Sequence, residues 1–118
     1  MPENIPARTP LAIVWTTVAD PDSARRLASS MLDRRLAACV QIDSPIESHY
    51  RWEGRLHVDT EVRLIIKTTS DWVPELIRWL GENHPYDEPQ ILATEVTETT
   101  SGYAAWVAAE TSPQPTDD

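Results

Sequence analysis

From Arg55 to Thr69 the chain alternates as one long strand, with Leu56, Val58, Val62, Leu64 and Ile66 on a single parity. Glu53-Gly54 just before it is a hairpin turn. Upstream of that turn, Ala38 to Trp52 is also β-like, with Val40 and Ile42 alternating against Cys39, Gln41 and Asp43. Each arm reaches about 14 residues, whereas strands usually take 3–10. In a chain of 118 residues, such a ribbon outruns what one small sheet and two helices can cover. Its far half would expose Ile46, Tyr50, Trp52, Leu56 and Val58 together with unpaired edge amides, which is an invitation to another copy. The hairpin therefore predicts a closed homo-oligomer.

The remaining elements follow from local signals. Leu11 to Trp15 is a continuous apolar run, the pattern of a strand covered on both faces. Asp20-Pro21 is an N-cap followed by proline at the first helical position, and Ala24, Leu27, Ala28, Met31 and Leu32 recur at helical spacing behind it. Pro45 interrupts the first arm of the hairpin, so that arm belongs at a sheet edge or carries a bulge. Asp71 opens a second helix, with Pro74 in its first turn and Val73, Leu76, Ile77 and Leu80 facing inward. Gly81 and His84-Pro85 end it. Gln90 to Thr97 is a last strand, and Ser101 caps a closing helix that holds Tyr103, Trp106 and Val107. The order β-α-β-β-α-β plus a terminal helix predicts an α+β ferredoxin-like sandwich with an antiparallel sheet, its first and third strands central. One domain spans 11–110, between proline-rich tails at 1–10 and 111–118.

The net charge of −9 argues against nucleic acid or an anionic membrane as a partner, since both need clustered Lys and Arg. Neither an apolar run of membrane length nor a signal-peptide h-region is visible, which places the chain in the cytoplasm. Cys39 is the only cysteine, consistent with a reducing compartment.

Several segments, taken together and in order, resemble the CutA family of divalent-cation tolerance proteins. They are Leu36-Ala37-Ala38-Cys39-Val40-Gln41-Ile42, Ser48-His49-Tyr50-Arg51-Trp52-Glu53-Gly54, Glu61 ahead of Ile66-Lys67-Thr68, His84-Pro85-Tyr86 with Pro89, and Tyr103 near Trp106. The resemblance covers about Ile13 to Ala109. It implies a ferredoxin-like homotrimer similar to PII signalling proteins, with clefts between subunits, a role in tolerance to copper or another divalent cation, and no enzymatic activity. Gln90 departs from the glutamate that the family often carries after the proline.

The candidate site residues are then weighed by chemistry. Lys67, the one lysine among ten basic residues, stands at the end of an apolar strand, placed to anchor a small anionic ligand or to pair with Glu61 or Glu95. Tyr50, Trp52, Tyr86, Tyr103 and Trp106 are aromatics suited to a ligand cleft with Lys67 and Glu61, or equally to a subunit interface. For a metal, Cys39 offers a soft thiolate and His49, His57 and His84 offer imidazoles, although no spacing of the zinc-site kind is present. A three-residue turn would set His49 across from His57, and a two-residue turn would set His57 across from Tyr50 instead. His84, just after a helix, is expected to be favoured in its protonated form by the helix dipole and to fix the following loop by hydrogen bonds. No organic cofactor is expected. The alternative to metal tolerance is a PII-like regulator that senses a small metabolite; with only three glycines and no phosphate cradle, the sequence disfavours its nucleotide-sensing version. Lys67, Glu61 and Tyr50 form no nucleophile–base–orienter set.

Overall fold

The computed structural model describes residues 10–43, 45–111 and 113. Five strands and three helices run in the order β1 (Leu11–Val18), α1 (Pro21–Asp33), β2 (Cys39–Ile42), β3 (Ile46–Trp52), β4 (Arg55–Thr69), α2 (Val73–Asn83), β5 (Ile91–Val96) and α3 (Ser101–Thr111). All pairings are antiparallel, in the sheet order β2-β4-β1-β5 with β3 also on β4. The first and third strands of the expected fold, β1 and β4, are thus the central ones. The first arm of the hairpin, read as one strand, is two: β2 ends at Ile42 and β3 begins at Ile46, on either side of Pro45.

The core lies between one face of the sheet and α1 with α2. Val14, Val18, Leu64 and Ile66 point from the strands at Met31, Leu76 and Leu80 of the helices, all with no exposure. α1 begins as its sequence dictates, the Asp20 carboxylate accepting from the Ser23 amide at 2.8 Å. It ends on Arg35 in the left-handed region at φ 58°, with Leu36 N–H donating to Met31 O and Arg35 N–H to Leu32 O. A guanidinium N–H of Arg35 also donates to Ala109 O at 2.9 Å, tying the end of α1 to the last turn of α3.

Four helix boundaries move. A 3₁₀ turn over Ser70–Trp72 precedes α2, which therefore starts after Asp71 and continues through Gly81 to Asn83. His84 is extended, as a residue before proline must be, and stops the helix there. Ile77 turns out at the surface while Trp79 is buried, because the inward stripe of α2 is Leu76, Trp79 and Leu80. α3 is capped by Thr100, whose hydroxyl accepts from the Tyr103 amide, rather than by Ser101. α3 lays Ala104 and Val107 on Leu11, on the sheet face opposite α1 and α2. Thr111, placed in the tail by the sequence, closes this helix and is buried, its hydroxyl donating to Val107 O. Residues 1–9, 112 and 114–118 of the expected tails lie outside the described residues.

These placements give a direct test of the α2 stripe. Leu76→Ala should cost about 2–5 kcal/mol of stability through the cavity it leaves, whereas Ile77→Ala should cost under about 1 kcal/mol. Urea denaturation of both variants at one fixed protein concentration measures the difference.

Candidate functional site

The site begins with a change of register. β2 pairs with β4 so that Cys39 meets Lys67 and Ile42 meets Leu64, and the Asp43 amide still donates to Arg63 O. β3 resumes with Ile46 opposite Glu61. Between the Asp43–Arg63 and Ile46–Glu61 pairs the first arm therefore has one residue more than β4, the count of a β-bulge. A shift of one residue reverses every side chain. In β2 the even positions share the face of buried Leu64 and Ile66; in β3 they share the opposite face with Glu61, Asp59 and His57. Tyr50 and Trp52 thus stand on the side of the sheet carrying those acids, and the extra residue lets β2 keep the opposite parity.

The hairpin then closes on two residues, Glu53 at φ 51° and Gly54 at φ 77°, with Trp52 opposite Arg55. Both in the left-handed region, they form the type I′ turn that matches the twist of a ribbon. His57 accordingly faces Tyr50 and stacks on it, with ring centroids 5.2 Å apart, and the cross-strand His49–His57 pair does not form.

Between this ribbon and the loop from His84 to Gln90 lies a pocket of about 680 Å³. Its walls include Tyr50, Trp52 and Tyr86, and four carboxylates, Asp59, Glu61, Asp87 and Glu88; among the described residues no lysine or arginine lines it. The Tyr50 hydroxyl donates to Asp59, and the Tyr86 hydroxyl donates to Glu61 at 2.8 Å. Burial and the Glu61 carboxylate both hold the Tyr86 phenol far above its usual titration range. The acceptor carboxylate and the bond it makes push the Tyr50 phenol up as well.

His84 fastens the loop. Its Nε2 lies 2.9 Å from Thr17 O and 3.0 Å from Thr16 Oγ1. A carbonyl only accepts, so Nε2 carries the proton. The Thr16 hydroxyl spends its own proton on Gln90 O at 2.7 Å, which leaves it an acceptor toward the histidine. On the other side of the ring, Nδ1 accepts from the Tyr86 amide at 3.0 Å. Every partner thus specifies the neutral imidazole protonated on Nε2. The expectation of a protonated His84 is corrected here: burial lowers its pKa and outweighs the bond to Thr17 and the nearby Glu61 charge. The expectation that His84 fixes the loop agrees with these bonds.

The family model described as CutA1 divalent ion tolerance protein matches residues 12–110. The chain belongs to the CutA1 divalent ion tolerance family. Among curated relatives, the divalent-cation tolerance protein CutA of Pectobacterium atrosepticum is 38% identical over 97 residues, covering 82% of this chain and 88% of that one. The chloroplastic CutA of Arabidopsis thaliana is 37% identical over 102 residues. This chain spans 56% of that plant protein's length and 62% of the chloroplastic CutA 1 of Oryza sativa. Of solved structures, CutA1 from Oryza sativa superposes with a TM-score of 0.86 at 36% identity, covering 91% of this chain and 98% of that one. CutA1 from Ehrlichia chaffeensis gives 0.86 at 32%, covering 91% and 100%.

Within this CutA fold the residues singled out by sequence divide between two places. Tyr50, Trp52, Glu61 and Tyr86 line the pocket. Lys67 stands six residues further along β4 from Glu61, about 20 Å away by strand rise. There it faces Cys39 in register and donates to Gln41 Oε1 at 2.6 Å, which is neither of its expected carboxylate partners. Tyr103 and Trp106 lie on α3 with ring centroids 5.7 Å apart, and burial together with the Cys39 sulfur raises the Tyr103 phenol. The four candidate metal ligands are not gathered. Cys39 is at the Lys67 end, His49 bonds Glu47 at 2.7 Å, His57 stacks on Tyr50, and both nitrogens of His84 are engaged. Among the described residues, no group of three or more His, Cys, Asp and Glu is close enough to hold one metal ion. Asp59, Asp87 and Glu88 are site residues the sequence reading passed over. Asp59 shares the parity of Glu61, and Asp87-Glu88 follow His84-Pro85-Tyr86 directly, so the signal was present.

The tautomer lock has a measurable consequence. Because the folded-state pKa of His84 lies below its unfolded value of about 6.5, the stability it lends is complete above that pH and is lost as pH falls toward the lowered value. The urea midpoint of the natural chain should drop between about pH 7 and about pH 5. His84→Gln should be less stable at pH 7 and should lose the histidine-linked part of that slope, read as the difference between the two profiles.

Proposed function

We propose that this CutA protein acts in divalent-metal tolerance as a cytoplasmic homotrimer, taking up copper or another divalent cation in clefts between subunits and catalysing no reaction. The observation that carries the binding half is the pocket beside Tyr86, which four carboxylates line with no cationic side chain among them. A concavity of one sign concentrates counter-ions of the other. Oxygen donors from Asp59 and Glu61 suit a divalent ion. Fewer than three donors converge, so uptake is weak unless water or a second copy completes the set. A small anionic ligand on Lys67 has less support, since the ammonium is engaged by Gln41 away from this pocket. The PII-like regulator rests on likeness of fold alone.

The trimer is supported by what the ribbon leaves open. Leu56 is 76% exposed and Val58 57%, on a segment of β4 that among the described residues pairs with β3 and no other strand. Among the described residues, no helix is long and apolar enough to cross a membrane.

Two measurements decide the proposal. Light scattering at micromolar concentration should give three times the 13.3 kDa chain mass, and Leu56→Asp with Val58→Asp should reduce it to one chain. A stable single natural chain would overturn the trimer. Titration calorimetry with Cu²⁺ and Mn²⁺ should show Asp59→Asn and Glu61→Gln each weakening uptake roughly tenfold or more, with Cys39→Ser unchanged. Affinities indifferent to both carboxylate changes would remove the pocket as the metal site.

A further inference from the structure

The aromatic walls of the pocket are unexplained by a bare metal ion. Such an ion needs several donors at one point, and the four carboxylates do not supply that. Asp59 and Glu61 come from β4 and each already accepts from a tyrosine hydroxyl. Asp87 and Glu88 come from the loop after α2, and among the described residues neither has a hydrogen bond or an ion pair. The negative charge is therefore spread over two elements instead of focused. The volume, about 680 Å³, falls in the range of small-molecule sites, roughly 300–1,000 Å³.

We infer that the pocket binds a linear organic cation carrying two or more alkylammonium groups, a polyamine. The inference rests on the reading of this pocket as a cation site and names a second class of cation for it. Each structural feature answers to a part of that ligand. An ammonium donates three hydrogen bonds and suits an isolated carboxylate, so it needs no converging donor set. Methylene segments between ammonium groups bury apolar surface against the rings of Tyr50, Trp52 and Tyr86. The π faces of these rings also attract the cationic ends. Spaced charges on the ligand match spaced carboxylates on the two walls. A strongly hydrated divalent ion gains nothing from three aromatic rings.

Spermidine is the probe, titrated calorimetrically into the assembled natural protein at low ionic strength, with Mn²⁺ titrated in parallel. Saturable spermidine binding is expected, weakened about tenfold or more by the double variant Asp87→Asn, Glu88→Gln, whose positions lie on an exposed loop. Trp52→Leu should weaken it about two- to fivefold and leave Mn²⁺ affinity unchanged, which separates ring contact from charge alone. Scattering on both variants confirms that the assembly is intact. If Mn²⁺ binds and spermidine does not, or if spermidine affinity is the same in Trp52→Leu and in the double variant as in the natural chain, the polyamine inference fails while the metal reading stands. If neither binds, both fail. Spermidine binding without Mn²⁺ binding would support the polyamine and overturn the metal.

Discussion

β4 carries hydrogen bonds along both edges at its C-terminal end, to β1 on one side and β2 on the other, and there it forms the middle of the sheet. Toward its N-terminal end β1 has stopped at the Val18–Val62 pair, and β4 continues beside β3 alone. One backbone thus serves two purposes. The inner half fixes the core, since Leu64 and Ile66 have no exposure and meet both helices. The outer half projects rigidly from that core and presents Glu61, Asp59 and His57 at positions that the inner half sets. A flexible loop could carry the same residues but would have to order them on every binding event, at a cost in conformational entropy.

The loop opposite is held by different means. Residues 84–90 include Pro85 and Pro89 and have no ladder to join, so their backbone groups need partners elsewhere. His84 meets part of that need, its Nδ1 accepting from the Tyr86 amide while Nε2 ties the ring to β1, and the Thr16 hydroxyl serves Gln90 O. Tyr86 then reaches across to Glu61. The two walls of the pocket are joined by a chain of neutral donors ending on a carboxylate, and that leaves the acidic charge uncompensated. Among the described residues, no buried side-chain nitrogen or oxygen lacks a hydrogen-bond partner.

Much of this was legible in the sequence, and for physical reasons. Strand parity, the Asp20-Pro21 cap and the Glu53-Gly54 turn are local rules, and local rules gave the element order and the central place of β1 and β4. What escaped depended on geometry between elements. Lys67 and Glu61 belong to one strand and one parity, yet six residues of extended chain keep them apart, a distance that a list of motifs conceals. The protonation of His84 was misjudged because the helix end was visible in sequence and the burial by β1 was not. Ile77 and Trp79 differ by about half a turn of helix, and only the tilt of α2 on the sheet decides between them. Asp87 and Glu88 read as an ordinary acidic loop until Tyr86 is seen to turn that loop toward Glu61.

The break between β2 and β3 absorbs one surplus residue between two registers that are fixed independently, β2 by its own pairs with β4 and β3 by the turn at Glu53-Gly54. Removing one position there would straighten the arm and leave Tyr50 opposite His57. A three-residue turn over the same sequence would instead bring Tyr50 opposite Leu56 and send its ring toward the helix layer. Gly54 at the far tip, rather than the kink at Pro45, therefore decides which chemistry the ribbon shows on each side.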